Sequence, residues 1–240
     1  MRNSKGIRWL ALAASLVVAA CSDAGSPVEQ SGSPDVPFAA ASVEANANRA
    51  RHEELQQARE AQKAYFKQMR EDNRENLRAA KEEWKEWKAD WMQQYKLQKE
   101  SWKRAHPGEK GGPEIQLLRC EPRDYAGAAE IIGPQGGTIK VGEHQLVIPA
   151  GALEQEELIV AEAPTSSLVD VSFSPHGLLF AKPARLTLSY RGCIRPTSSD
   201  LLVAYIQNNQ ILELPPSVDR KDDDEVDADI DHFSRYAVAW

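Results

Sequence analysis

This 240-residue chain lacks several sequence features that would indicate a metal site, an enzyme or a membrane-spanning segment. It has only 3 cysteines and 5 histidines, and no spacing among them matches a metal site. It also lacks a glycine-rich phosphate loop, a nucleophile elbow and a paired-carboxylate motif. No apolar run after residue 20 reaches membrane-spanning length. The sequence therefore favours a protein that needs no metal or cofactor and catalyses no reaction on an external substrate.

The first residues of the chain predict its location. A basic segment (residues 2–8) precedes an apolar run of signal-peptide length (residues 9–20). The run ends in Val-Ala-Ala-Cys, which resembles the lipobox of bacterial lipoproteins. The resemblance implies that residues 1–20 are a cleaved signal peptide and that lipid on Cys21 anchors the protein in the cell envelope. Ser22 favours outer-membrane sorting where the organism has an outer membrane. The alternative is an ordinary secretory signal, which keeps export and loses only the anchor.

Two segments of contrasting composition follow the leader. Residues 21–42 are rich in serine, glycine, proline and alanine, which is typical of a flexible tether. Residues 43–104 contain no proline and no glycine and are dense in good helix formers. They end at Ala-His-Pro-Gly, a helix stop signal. The sequence therefore predicts one long charged helix over residues 43–104.

An apolar stripe from Leu77 onward follows helical spacing along one face of this helix. It includes four of the protein's 6 tryptophans: Trp84, Trp87, Trp91 and Trp102. Soluble monomers seldom expose such a strip, so we expect it to contact a partner. The partner is the protein's own domain, a second helix in a coiled coil or self-association, or a membrane surface met by tryptophan and lysine.

The rest of the chain has a different period and a different charge. Residues 105–130 are interpreted as a linker and lead-in segment. Short runs of period two then recur between turn residues, which predicts an all-β sandwich over residues 131–240. Residues 49–104 carry 15 Lys and Arg against 11 Asp and Glu, a net of +4, and residues 105–240 carry 11 against 21, a net of −10. The acidic sandwich argues against a nucleic-acid partner, and the opposite charges make docking of the helix plausible.

The remaining two cysteines and an acidic cluster admit two interpretations each. Cys120 and Cys193 form an even pair in an exported chain, which predicts a disulfide; the alternative is two free buried thiols. Asp222 to Glu225 and the alternating aspartates up to Asp231 could attract calcium. They lack the glycine and spacing of a calcium loop, so a solvated hairpin and strand face is favoured and no metal site is predicted.

Four segments of the predicted sandwich resemble a ZU-five domain, the β-sandwich module of zonula occludens proteins, netrin receptors and ankyrins. They are Gly-Gly-Thr (136–138), Leu-Val-Ile-Pro-Ala-Gly-Ala-Leu (146–153), Phe-Ser-Pro-His-Gly-Leu-Leu-Phe with Lys-Pro-Ala-Arg-Leu (173–186), and His-Phe-Ser-Arg-Tyr-Ala-Val (232–238). The resemblance covers about residues 131–240 and implies a ZU-five-like sandwich that binds protein partners. Together with the helix predicted from composition, the expected fold is a long N-terminal α-helix followed by that sandwich. A fold resemblance gives function only by analogy.

The resemblance also suggests one possible reaction, cleavage of the chain by itself. Some ZU-five relatives cut themselves between phenylalanine and serine, which implies Phe233–Ser234 as the bond, the Ser234 hydroxyl as nucleophile and His232 as base. The structural alternative is a strand from Val226 to Trp240 that keeps one inward face, with a bulge or an opposite pocket at Phe233. We therefore expect a lipid-anchored, non-enzymatic binding domain on a helical spacer. The alternatives are self-cleavage and a structural envelope protein that works through its helix.

Overall fold

A computed structural model describes residues 38–105, 107, 115–195 and 199–240, and confirms a long helix followed by a β-sandwich. Helix α1 spans Phe38–Ala105, with side chains described from Glu44 onward. The contacts divide the chain into residues 1–42 and residues 43–240, and the second unit holds most of α1 together with both sheets. The predicted signal peptide, Cys21 and the tether up to residue 37 lie outside the described residues.

The described residues after the helix form eleven strands. They are β1 (Ala126–Ile132), β2 (Gly137–Val141), β3 (His144–Ile148), β4 (Glu157–Ala163), β5 (Asp170–Ser174), β6 (Leu179–Ser189), β7 (Leu202–Gln207), β8 (Gln210–Glu213), β9 (Ser217–Arg220), β10 (Glu225–His232) and β11 (Arg235–Ala239). A six-stranded sheet has the order β1-β4-β5-β11-β7-β8, and a five-stranded sheet has the order β2-β3-β6-β10-β9. Every strand pair in them is antiparallel.

The two sheets enclose an apolar core to which alternate residues of their strands contribute. On β10, Val226, Ala228 and Ile230 are buried in this core. The aspartates between them face outward, as the alternation predicts. Two turns that position the strands use glycine with positive φ, at Gly151 (77°) and Gly177 (78°), where a side chain would be strained. Two of the four segments quoted above, residues 146–153 and 173–186, thus each contain a turn of the sandwich.

The structure moves two predicted boundaries. The helix begins at Phe38, so residues 38–42 are helical and the tether ends before them. Their sequence, Phe-Ala-Ala-Ala-Ser, is alanine-rich and follows a proline, a residue common at helix starts. The lead-in segment joins the sandwich earlier than residue 131. Leu118 N donates to Val238 O at 2.8 Å, and β1 already begins at Ala126.

One predicted strand is two strands. The expected continuity from Val226 to Trp240 is wrong, because β10 ends at His232 in the five-stranded sheet and β11 begins at Arg235 in the six-stranded sheet. The inward residues of that alternative, Tyr236, Val238 and Trp240, do lie in the core. The register of β10 against β6 shifts between Ile230 and His232. The irregularity lets the chain cross from one sheet to the other at Phe233, which is buried.

Candidate functional site

Phe66 makes a closely packed contact between α1 and the sandwich. Its ring is only 2% exposed and packs with Tyr125 and Ala129 of the six-stranded sheet. Gly127 of β1 lies directly beneath the ring, and a Cβ placed on Gly127 would come within 2.3 Å of Phe66 Cδ1. The absence of a side chain at Gly127 therefore lets the helix approach the sheet.

Sequence reasoning missed Phe66, although a signal for it was present. Continuing the stripe backwards from Leu77 at helical spacing reaches Asn73, Met69 and Phe66, and all four side chains are at least half-buried. Met69 packs beside Phe66. The interrupting polar Asn73 hides the continuation, and in the structure its amide donates to Met69 O at 2.8 Å.

Aromatic side chains make the second contact, toward the end of α1. Trp84, Trp87, Trp91 and Tyr95 stack in sequence with ring centroids 4.9, 5.4 and 5.2 Å apart. Trp84 is 6% exposed, and both Trp91 and Tyr95 meet Trp240 edge-on at 6.4 and 5.3 Å. Arg119 lies over the Trp87 ring at 5.1 Å, a cation–π geometry. Three of the four predicted stripe tryptophans thus belong to this ladder, and Trp102 is half-buried beyond it.

Ion pairs follow the same line across the interface. Arg59 Nη2 pairs with Glu130 at 2.5 Å, Arg51 with Glu157 at 3.3 Å and Lys81 with Glu121 at 3.5 Å. In each pair the helix supplies the cation, in accord with the charges of the two regions. Arg59 Nε also donates to Ala129 O at 3.0 Å. This carbonyl belongs to β1, an edge strand, so the helix covers one sheet edge.

The predicted cysteine pair is confirmed as a disulfide. Cys120 and Cys193 are bonded with Cα atoms 4.4 Å apart, and Cys120 is buried. Cys120 lines a cleft of about 540 Å³ at this end of the sandwich. The cleft also contains two buried polar side chains, His144 and Asp170.

The two buried groups in this cleft have shifted pKa values. Burial lowers the pKa of His144 to about 4, and the charge of Arg123 adds to the effect. The imidazole is therefore neutral near pH 7, and its Nδ1 accepts a hydrogen bond from Ser189 N at 3.2 Å. Burial raises the pKa of Asp170, while its ion pair with Arg235 at 2.8 Å opposes that shift. The ion pair of Arg235 and Asp170 links the neighbouring strands β11 and β5, and the hydrogen bond of His144 links it to Ser189 at the end of β6. Both His144 and Asp170 therefore have a structural role.

The Phe233–Ser234 bond lies where the chain changes sheets. Phe233 stacks on Phe173 at 5.6 Å, and its carbonyl accepts a hydrogen bond from Gly177 N at 3.1 Å. His232 faces Tyr236, whose hydroxyl lies 3.3 Å from His232 Nδ1 and donates to His232 O at 2.7 Å. The hydrogen bonds of the described residues include none between His232 and Ser234. The carbonyl thus has a donor, but the imidazole is engaged elsewhere.

The acidic strand face is largely neutralised by neighbouring cations. Asp229 pairs with Arg185 at 2.9 Å, and Asp227 accepts from Thr187 at 2.6 Å. Arg220 pairs with Asp223, Glu225 and Asp227. No group of three or more histidine, cysteine or acidic side chains within the described ranges is arranged to hold a metal ion.

Where the structure describes it, α1 contains no stretch apolar enough to cross a membrane.

No protein-family model matches this chain and no curated protein matches it, so the likeness to ZU-five domains rests on the four segments quoted above.

Proposed function

We propose that this protein is a lipid-anchored protein of the cell envelope that presents a non-enzymatic, ZU-five-like β-sandwich to a protein partner. The basic and apolar leader before Cys21 supports export and the lipid anchor. An even cysteine pair joined in a disulfide supports a location outside the cytoplasm. Ser22 favours the outer membrane where one exists.

One observation carries the assignment of binding to the sandwich rather than to the helix. The apolar stripe of α1 is already occupied, because Phe66 packs over Gly127 and the Trp84–Tyr95 ladder packs against Trp240. A structural protein that works by helix pairing would need these same side chains for its partner. With the stripe engaged, α1 supports the domain, and the sandwich offers the surfaces that remain for binding.

Self-cleavage at Phe233–Ser234 stays a second candidate because the Phe233 carbonyl accepts a backbone N–H, as an oxyanion would. The engagement of His232 with Tyr236 weighs against it. Intact mass under denaturing conditions decides the matter. A cleaved protein would release a fragment from Ser234 to Trp240, whereas an uncleaved protein gives one mass.

Site-specific photo-crosslinking in cells tests the binding function. A photoreactive residue is placed on the sandwich at exposed Val147 or Val218, and on the outer side of α1 at exposed Met92 or Leu97. We expect a discrete crosslinked protein from sandwich positions. Crosslinks from helix positions alone would move the function to the helix, and a complete lack of crosslinks would overturn the binding proposal. The anchor is tested separately by fractionating a Cys21→Ser variant.

A further inference from the structure

An apolar groove of about 340 Å³ lies between the loop before β4 and the start of β6. Its apolar lining comes from both segments: Ala152, Leu153, Leu178, Leu179, Phe180 and Ala181. Leu179 is 73% exposed, the highest value among the large apolar side chains that the structure describes as exposed. Exposed apolar surface of this kind, beside a formed groove, is typical of an interaction site.

The groove is held in a fixed shape by contacts beneath it. Ala181 N donates to Ala152 O at 3.0 Å and ties the two walls together. Lys182 Nζ donates to Ala150 O at 2.8 Å on the outer side of the same loop. Phe180 meets the buried Phe233 edge-on at 4.9 Å. A preorganised groove loses little conformational entropy when a ligand binds.

Acidic side chains line one side of the groove. Glu157 pairs with Arg51 at 3.3 Å, and the adjacent Glu156 lies 2.9 Å from His52 Nδ1, so α1 already supplies a partner to each of them. Glu154 lines the groove, and the described ion pairs include none to it. Glu154 is therefore the carboxylate placed to meet a cation brought by a ligand that also fills the apolar floor.

We propose that this groove binds a protein segment in which a leucine-sized side chain stands next to lysine or arginine. The proposal rests on the proposed function, since it gives the chemistry of the partner. The apolar side chain would cover Leu179 and Phe180, and the cation would pair with Glu154. The chain's own residues 22–37 do not suit the groove, because they carry Asp23, Glu29 and Asp35 and neither lysine nor arginine. An anionic lipid surface would be repelled by Glu154.

The test uses the mature chain with Cys21→Ser and a short fluorescent peptide that alternates leucine and lysine. Two matched peptides replace either leucine by serine or lysine by glutamate. We expect saturable binding of the first peptide alone. Leu179→Ser should weaken it by about ten-fold or more, since burial of one such side chain contributes at least that factor. Glu154→Lys should weaken it by several-fold, and less so at high salt.

Leu212→Ser and Glu213→Lys are matched controls, because both change exposed side chains on β8, away from the groove, and should leave affinity unchanged. Equal binding of the three peptides, or full affinity in Leu179→Ser, would overturn the proposal. So would Leu179-dependent sedimentation with anionic vesicles, or Leu179-dependent self-association, in place of peptide binding. Failure of the peptide while Val147 or Val218 still crosslinks a protein in cells would reject the groove and leave the proposed function standing.

Discussion

Replacing Gly127 by alanine tests the docking of α1 beneath the Phe66 ring. The added Cβ would lie 2.3 Å from Phe66 Cδ1 and 2.6 Å from Cγ, whereas nonbonded carbons prefer about 3.5–4.0 Å. The ring is 2% exposed, so it cannot turn aside without leaving its place on the sheet. Gly127 is not one of the glycines with positive φ, so the backbone itself accepts alanine.

Two opposing effects determine how much Gly127→Ala changes the free energy of unfolding. A glycine-to-alanine change without a clash stabilises a protein by about 0.4–1 kcal/mol, because the unfolded chain loses freedom. Overpacking a filled site costs about 1–3 kcal/mol. We therefore expect Gly127→Ala to lower the free energy of unfolding by about 1–2 kcal/mol. Phe66→Ala should lower it by about 3–5 kcal/mol, and without the ring Gly127→Ala should become stabilising.

Urea denaturation followed by circular dichroism and tryptophan fluorescence measures all four proteins of this cycle. Leu97→Ala is the matched control, since Leu97 is exposed on α1 away from Phe66 and its loss should cost little. The reasoning is refuted if Gly127→Ala has the same sign and size of effect with and without the Phe66 ring. A stabilising effect in the wild-type background would refute it as well.

Three further predictions concern the cross-link, the anchor and pH. Cys193→Ser should cost up to about 4 kcal/mol of unfolding free energy, since the bonded residues are 73 apart in sequence; an unchanged urea midpoint would contradict this. Cys21→Ser should remove the protein from the membrane fraction, and continued processing with membrane retention would rule out the lipobox. The free energy of unfolding should fall by up to about 3 kcal/mol as the pH is lowered from about 6.5 to 4. The reason is that His144 takes up a proton in the unfolded chain near pH 6.5, whereas its lowered pKa keeps it neutral in the folded protein down to about pH 4. His144→Gln should show a smaller fall in urea midpoint over the same range.

The sequence predicted the elements whose patterns are local. The absence of glycine and proline marked the long helix, and strict alternation marked β10. It missed β1, and it included β11 only as a continuation of β10; the sequences of these two strands, Ala-Gly-Ala-Ala-Glu-Ile-Ile and Arg-Tyr-Ala-Val-Ala, do not alternate. The reason is that these strands pack on both faces: Ala129 of β1 lies under Phe66, and β11 has inward Tyr236 and Val238 and outward Ala237 and Ala239, all buried. A strand covered on both sides has no polar face to reveal its period.

The docking position of the helix was likewise hidden from the sequence. The tryptophan stripe indicated that α1 needs a partner, and the opposite charges of the two regions made docking on the sandwich plausible without deciding between it, a second copy and a membrane surface. The position depends on small residues, Gly127 and Ala129, which resemble a turn or a weak strand when read alone. Such a contact depends on two segments that are about 60 residues apart, so no local pattern encodes it.

Charge and packing contribute differently to this docking. The pairs of Arg51, Arg59 and Lys81 with sandwich carboxylates keep much of their surface in water, and exposed pairs contribute about 0–1 kcal/mol each. Burial of the Phe66 ring alone is expected to exceed any one of them several-fold. The apolar contacts therefore hold the helix on the sheet, while the ion pairs favour the one direction in which Arg51, Arg59 and Lys81 meet sandwich carboxylates. Salt screens the ion pairs but not the apolar contacts. High salt should therefore weaken the preference for this orientation of the helix more than it weakens the docking of the helix on the sheet.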